Sequence, residues 1–421
     1  MLFFGANVIA NYWLQIPDAE MTLVALSPAI FFVAISSVMR GYFNGRQNIK
    51  ATARSQTIEQ VFKTALTIIL VEIIAVISNV STEWMAGGAT LATTLATMSG
   101  FGYLYLYYKT RSKEIAVEIK STVNYKYERV RTIIRRILVV SIPIALTAIM
   151  SSLNKNIDSF TVVRSLKQFM PEDMALSQYG ILGGKVDTLT SLPLSINVAF
   201  STALVPAISA AKARKDKKTI TEKTSFSLLT SMLIGLPCTI GMCIFAGPIL
   251  NLLFPKASDG TVILQISSLT ILFTILDQTI NGALQGYGKL KIPTISLGIG
   301  VLVKLILNLI LVPIPEIGVN GAAWASVACH VVAFTIAITA LRKNIKLNLT
   351  FSKFVFKPLL ATVIMSVCSY FIFNVLQGII AERLATIIAI VIAVIIYGLA
   401  ILALKILNKE DIYMIPYGQK V

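Results

Sequence analysis

Hydrophobic residues in this chain fall in long blocks, separated by short polar stretches. Ala385–Leu404, for example, contains no charged residue. A membrane-crossing helix needs roughly 20 mostly apolar residues and a crossing strand about half as many, so the blocks have helical length. They predict twelve helices, near 2–16, 20–43, 51–78, 84–109, 133–164, 176–210, 220–253, 260–287, 292–312, 318–342, 354–377 and 382–406. The expected fold class is therefore all-α, a polytopic membrane protein. Leu2–Leu14 lacks a basic leader and a small-residue cleavage site, so it reads as a helix rather than a signal peptide.

Composition supports this. The chain is 56% hydrophobic and 14% charged, with mean hydropathy +0.77, against about half and a quarter in soluble domains. The net charge of +17 sits in the short connections. It points to topology and anionic headgroups as partners, not to nucleic acid. With the N-terminus inside, the inner connections hold 29 of the 37 Lys and Arg, the outer ones four, and helix interiors four. That asymmetry places both termini in the cytoplasm. Lys109–Arg136 is the longest inner connection, and its middle, Lys113–Tyr127, reads either as an amphipathic surface helix or as a solvated linker.

The chain repeats itself. The stretch from Ser27 aligns without a gap on the stretch from Ser268, 241 positions later, pairing Gly41 with Gly282, Gly45 with Gly286 and Lys63 with Lys304. Such a parallel repeat suits a transporter with two lobes. The second lobe begins near Thr132, so the first would begin roughly a hundred residues before Met1. The expected organisation is a partial N-lobe (1–110), a basic linker (111–131), a C-lobe (132–345), and two peripheral helices with a tail (346–421).

No nucleotide, hydrolase or metal motif is evident, so neither a cofactor nor enzymatic activity is expected. The four cysteines lie inside apolar segments without metal-ligand spacing, and the single histidine, His330, reads as a packed or hydrogen-bonded helix residue. The candidate chemistry is the set of ionisable residues within helices: Glu59, Lys63, Lys155, Asp158, Lys185, Asp187, Asp277 and Lys304. Each costs about 2.5–3.5 kcal/mol at a helix centre, so each needs a partner or a wet cavity. Glu59 and Lys63 are one turn apart and can pair. Asp277 is a candidate partner for Lys304. Lys63 and Lys304, at equal depth in the two repeats, can also face a common axis and meet an anionic diphosphate. Pro143, Pro193 and Pro206 lie within helices and read as hinges or static kinks. Arg40, Arg46 and Arg54 around the RGYFNGR turn read as topology determinants or headgroup contacts.

RGYFNGRQN followed by SQTIEQVFKT, with YGILGGKVDTLTSLP and STALVPAIS, resembles the polysaccharide-flippase branch of the MATE-like (MOP) exporter superfamily. Within it, the chain looks more like the stage V sporulation protein B and polysaccharide biosynthesis membrane proteins than the lipid II flippases. The resemblance implies fourteen helices, two lobes of six plus two, of which this chain matches helices three to fourteen. It implies a central cavity lined by the first two helices of each lobe, which favours Lys155, Asp158, Lys185 and Asp187. It also implies a lipid-linked glycan carried across a bacterial plasma membrane. The expected driving force is a coupling ion (H+ or Na+) or the membrane potential. A MATE-type drug or cation antiporter and a non-transporting membrane protein remain as alternatives.

Overall fold

The computed structural model describes residues 2–14, 19–46, 48–76, 82–121 and 128–407, and these are helical throughout except for short turns. The expected linker residues 122–127, the tail from 408, and the ends of the first and third predicted segments lie outside the described residues. The chain forms two compact units, Met1–Tyr127 and Glu128–Val421.

In the first unit, α1 (Leu2–Val8) continues as a π-helical stretch, and α2 (Ala19–Gly45), α3 (Ile49–Val76) and α4 (Thr82–Ser121) pack together. Phe43, Ala51 and Leu104 form a small core, with the Phe43 and Tyr107 rings edge to face at 5.2 Å. The predicted helix ending near 109 runs on to Ser121. Lys109–Ser121 contains neither Pro nor Gly and is rich in good helix formers, so nothing stops it there. At 40 residues the helix is about 60 Å long, twice the hydrocarbon thickness.

The second unit contains α5 (Val130–Leu166), α6 (Glu172–Gly180), α7 (Asp187–Ala213), α8 (Lys217–Ile244), α9 (Ala246–Leu253), α10 (Thr261–Gly286), α11 (Lys291–Leu311), α12 (Asn320–Asn344), α13 (Lys357–Gln377) and α14 (Glu382–Ala403). A π-helical stretch, Ile181–Val186, joins α6 to α7 and carries Gly183 and Gly184. The predicted segment 220–253 is broken at Phe245 into α8 and α9.

Helix α10 is the hub, packed against α7, α8 and α12, while α11 joins α12 to α5. Close approach depends on glycine. A Cβ on Gly282 would sit 2.6 Å from the Ser201 carbonyl oxygen of α7, and one on Gly300 would sit 2.6 Å from the Cys329 oxygen of α12. In the first unit, Gly41, aligned with Gly282 in the repeat, and Gly45, aligned with Gly286, meet nothing within 4 Å among the described residues. Buried Asn197 of α7 donates to the Ile275 carbonyl (2.9 Å) and accepts from Ser231 of α8 (2.9 Å), tying α7, α8 and α10 at one level. Helix α14 packs on α13 and leaves Val391, Val394, Leu399 and Leu402 exposed.

Nine helices among the described residues are long and apolar enough to cross a membrane: α2, α5, the α6–α7 helix, α8, α10, α11, α12, the 352–377 helix and α14. Of the twelve expected spans, α3 and α4 have the length but dilute it with ionisable, Gly and Thr positions, and Leu2–Leu14 is short.

Candidate functional site: an ionised seam in the second unit

Polar side chains within apolar helices need a common face to satisfy one another. On α5, Asn154, Asp158 and Thr161 recur at helical spacing, and on α11 Lys304 and Asn308 are one turn apart. The two helices pack together and close these faces onto each other. Lys304 Nζ donates to Asp158 Oδ2 at 2.7 Å and to the Asn154 carbonyl oxygen at 2.8 Å. Asn308 Nδ2 donates to Asp158 Oδ1 and to Thr161 Oγ1, both at 2.9 Å. The Lys304 and Asp158 side chains are only 3% and 9% exposed. Asn154 extends the seam to α12, with its Oδ1 3.5 Å from Cys329 Sγ and its Nδ2 3.5 Å from His330 Nε2. Met150, Ile157, Leu297 and Val301 provide the apolar flank.

Asp187, exposed at the start of α7, lies within electrostatic reach of Asp158, Lys304 and Lys155. Tyr179 of α6 interacts with Ser159 and feels both aspartates. Lys155 is exposed on α5. The arrangement is therefore a neutralised buried ion pair with a charged, accessible rim.

Four of the eight candidates come together here: Lys155, Asp158, Asp187 and Lys304. The partner of Lys304 is Asp158, not Asp277. Asp277 lies on α10, where its one hydrogen bond is from Asn281 Nδ2 at 2.8 Å. Asp158 and the Asn154 carbonyl engage the Lys304 ammonium. Lys185 turns away from the seam, donating to the Ala257 carbonyl, with its ammonium 5.5 Å from the Phe254 ring centroid.

Glu59 and Lys63 do not pair. Arg40 Nη2 bonds Glu59 Oε2 at 2.5 Å, and Arg40 Nε donates to Ser55 Oγ at 3.1 Å. The rigid guanidinium fork spans two turns of α3 at once, which the flexible ammonium of Lys63 cannot match. Gly100 of α4 leaves space for the carboxylate, since a Cβ there would lie 3.2 Å from Glu59 Oε2. Lys63 is left exposed. Arg46 bonds Glu118 and Tyr42, and Asn48 donates to Tyr107 Oη at 3.0 Å. The RGYFNGRQN motif is thus a clasp holding α2 to α3 and α4.

Asn308 and Thr161 were missed by the search for ionisable residues. Their spacing from Lys304 and Asp158 was the available signal. Among the described residues, no group of three or more His, Cys, Asp or Glu could hold a metal ion.

A family model described as lipid II flippase MurJ matches residues 27–388. The chain is 25% identical to stage V sporulation protein B of Bacillus subtilis (strain 168), over 99% of this chain and 79% of that protein. It is 24% identical to lipid II flippase MurJ of the same organism, over 79% of this chain and 62% of that protein. Among solved structures, lipid II flippase MurJ in an inward closed conformation superposes with TM-score 0.62 at 18% identity, covering 91% of this chain and 73% of that one. An inward-facing multidrug resistance MATE family transporter of the MOP superfamily gives TM-score 0.58 at 16% identity, covering 82% and 77%. These likenesses establish a MurJ/MATE-like fold.

Proposed function

The chain belongs to the lipid II flippase MurJ family, and from that premise we propose that it carries a diphosphate-linked saccharide on an isoprenoid lipid across the bacterial cytoplasmic membrane. Both termini are then cytoplasmic, as the distribution of Lys and Arg supports. The observation that carries the reading is the seam of Asp158, Lys304 and Asn308 with Asp187 and Lys155 at its rim, a charged feature inside a unit built from apolar spans. The saccharide–diphosphate head would cross through a polar path while its hydrocarbon tail remains in lipid. This separation avoids exposing the charged head to the bilayer core. Lys155, exposed and next to the seam, is the cation we assign to the diphosphate. The Lys304–Asp158 pair keeps α5 and α11 together as the unit moves. No bond of the substrate is broken, so the chain acts as a transporter, driven by an ion gradient or the membrane potential.

A drug or cation antiporter is the second reading, favoured by the MATE-like fold and opposed by lysines within the helices. The test is replacement of the endogenous flippase in a bacterium by this protein expressed from its own genomic reading frame. Rescue by wild type, with at least tenfold loss for Lys155→Ala, supports lipid-linked saccharide transport. Absence of rescue despite normal membrane insertion, together with acquired resistance to cationic drugs, would transfer the assignment to the antiporter.

A further inference from the structure

A second polar feature lies outside the seam, on the hub helix α10. Asp277 is 7% exposed, and its Oδ2 accepts from Asn281 Nδ2 one turn later at 2.8 Å. Its Oδ1 is buried without a hydrogen-bond partner, and so is Oδ1 of the same Asn281. Among the described residues, no lysine or arginine forms an ion pair with Asp277, and the buried ammonium of Lys304 is engaged by Asp158.

A fully ionised Asp277 would therefore leave two acceptor oxygens unsatisfied on adjacent turns of one helix and an unpaired anion in a membrane-spanning unit. Each of these is costly. A single hydrogen atom resolves all three. A protonated carboxyl has one O–H donor, and the natural acceptor is the free oxygen of the amide already bonded to it. The result is a reciprocal ring, in which Asn281 N–H donates to Asp277 Oδ2 and Asp277 Oδ1–H donates to Asn281 Oδ1. A metal cation would require a shell of several oxygens, and among the buried side-chain oxygens of α10 these two lack a partner.

We propose that Asp277 and Asn281 form a proton-binding site, with the proton held on Asp277 and shared with the Asn281 amide oxygen in this conformation. The surroundings fit an isolated site. Of the ionisable groups on the elements packed against α10, Cys329 of α12 is close enough to sense the Asp277 charge. Lys304 of α11 and His330 of α12 belong to the seam with Asn154 and Asp158. On α7, Asp187 senses the seam and Lys212 bonds the Tyr287 carbonyl, while on α8 Glu222 pairs with Lys218 and Asp216 caps the helix. Cys238 and Cys243 are free thiols. A proton bound on the hub helix would be released when α7, α8 or α12 shifts to admit water or a cation. If the protein is a transporter, this gives it a proton-binding step that is separate from the substrate rim.

The test is infrared difference spectroscopy of the purified full-length protein in lipid nanodiscs at neutral pH, in potassium and in sodium buffers. The expected result is a protonated-carboxyl C=O band in wild type that is lost in Asp277→Asn. In Asn281→Ala the band shifts to higher frequency, because the shared hydrogen bond is gone. It also persists when sodium replaces potassium. Identical carboxyl regions in wild type and Asp277→Asn would overturn the proposal. So would a wild-type band that vanishes in sodium, which would make the two oxygens a cation site. The Asn281→Ala spectrum keeps the test decisive if Asp277→Asn does not fold. None of these readouts depends on the transported substrate.

Discussion

Replacing Lys304 with methionine keeps most of the aliphatic stem and removes the ammonium. Asp158 is then left as a buried carboxylate held only by Asn308 at 2.9 Å, in a position where its side chain is 9% exposed. Removing one member of a buried ion pair costs about 3–5 kcal/mol, because the other charge is stranded. The mirror change, Asp158→Asn, strands the ammonium, although the Asn154 carbonyl still accepts from it at 2.8 Å. Its cost should fall at the lower end, about 3 kcal/mol. The double variant removes both charges together, and such replacements are often close to neutral. The coupling should therefore be close to the sum of the two single costs, about 6–8 kcal/mol. The assay is reversible unfolding of purified protein in mixed micelles, followed by tryptophan fluorescence, for wild type, both single variants and the double. A Lys304→Met variant within about 1 kcal/mol of wild type, or a double variant costing the sum of the singles, would refute the claim that the two charges support each other.

Three further outcomes follow from other parts of the fold. Gly282→Ala, whose new Cβ would lie 2.6 Å from the Ser201 carbonyl oxygen, should destabilise the protein by about 1–3 kcal/mol. Its repeat counterpart Gly41→Ala, facing open space, should be tolerated, and the same unfolding assay compares them. Arg40→Ala removes bonds to Glu59 and Ser55 and should cost about 1.5–3 kcal/mol, read as faster proteolysis between α2 and α3. Asp216 accepts from the Thr219 N–H at 3.0 Å and from its hydroxyl at 2.6 Å, and these bonds hold its carboxyl below the usual range. Its contribution is therefore present above the ordinary carboxylate value and is lost as pH falls through the lowered folded one. Asp216→Ala should show a smaller loss of stability on acidification than wild type in a pH-resolved thermal unfolding series.

The sequence carried the membrane class and most helix positions, because these rest on block length and spacing. It did not carry the extension of α4 to Ser121, since a charged connection and a charged helical extension have the same composition. The seam was half legible. Asp158 and Lys304 stood out as ionisable residues within apolar helices, but their pairing depends on α5 and α11 packing together, which no local pattern encodes. Asn308 and Thr161 carry no charge, so a search for intramembrane ions passed over them. Glu59 and Lys63 show the opposite error. Helical spacing permitted a local pair, and a tertiary contact from Arg40 on α2 displaced it. The glycines at 282 and 300 looked like ordinary helix positions until the neighbouring backbones were in place.

The central claim is that this chain moves a lipid-linked diphosphate saccharide, with Lys155 meeting the diphosphate. The most direct measurement is flipping in proteoliposomes made with the purified full-length protein and a fluorescent isoprenoid-diphosphate saccharide, read by its accessibility to an externally added modifying enzyme. The account predicts exposure in minutes with wild type and at least tenfold slower exposure with Lys155→Ala, with both proteins equally folded. Wild-type rates no faster than protein-free liposomes, or a Lys155→Ala rate equal to wild type, would contradict it.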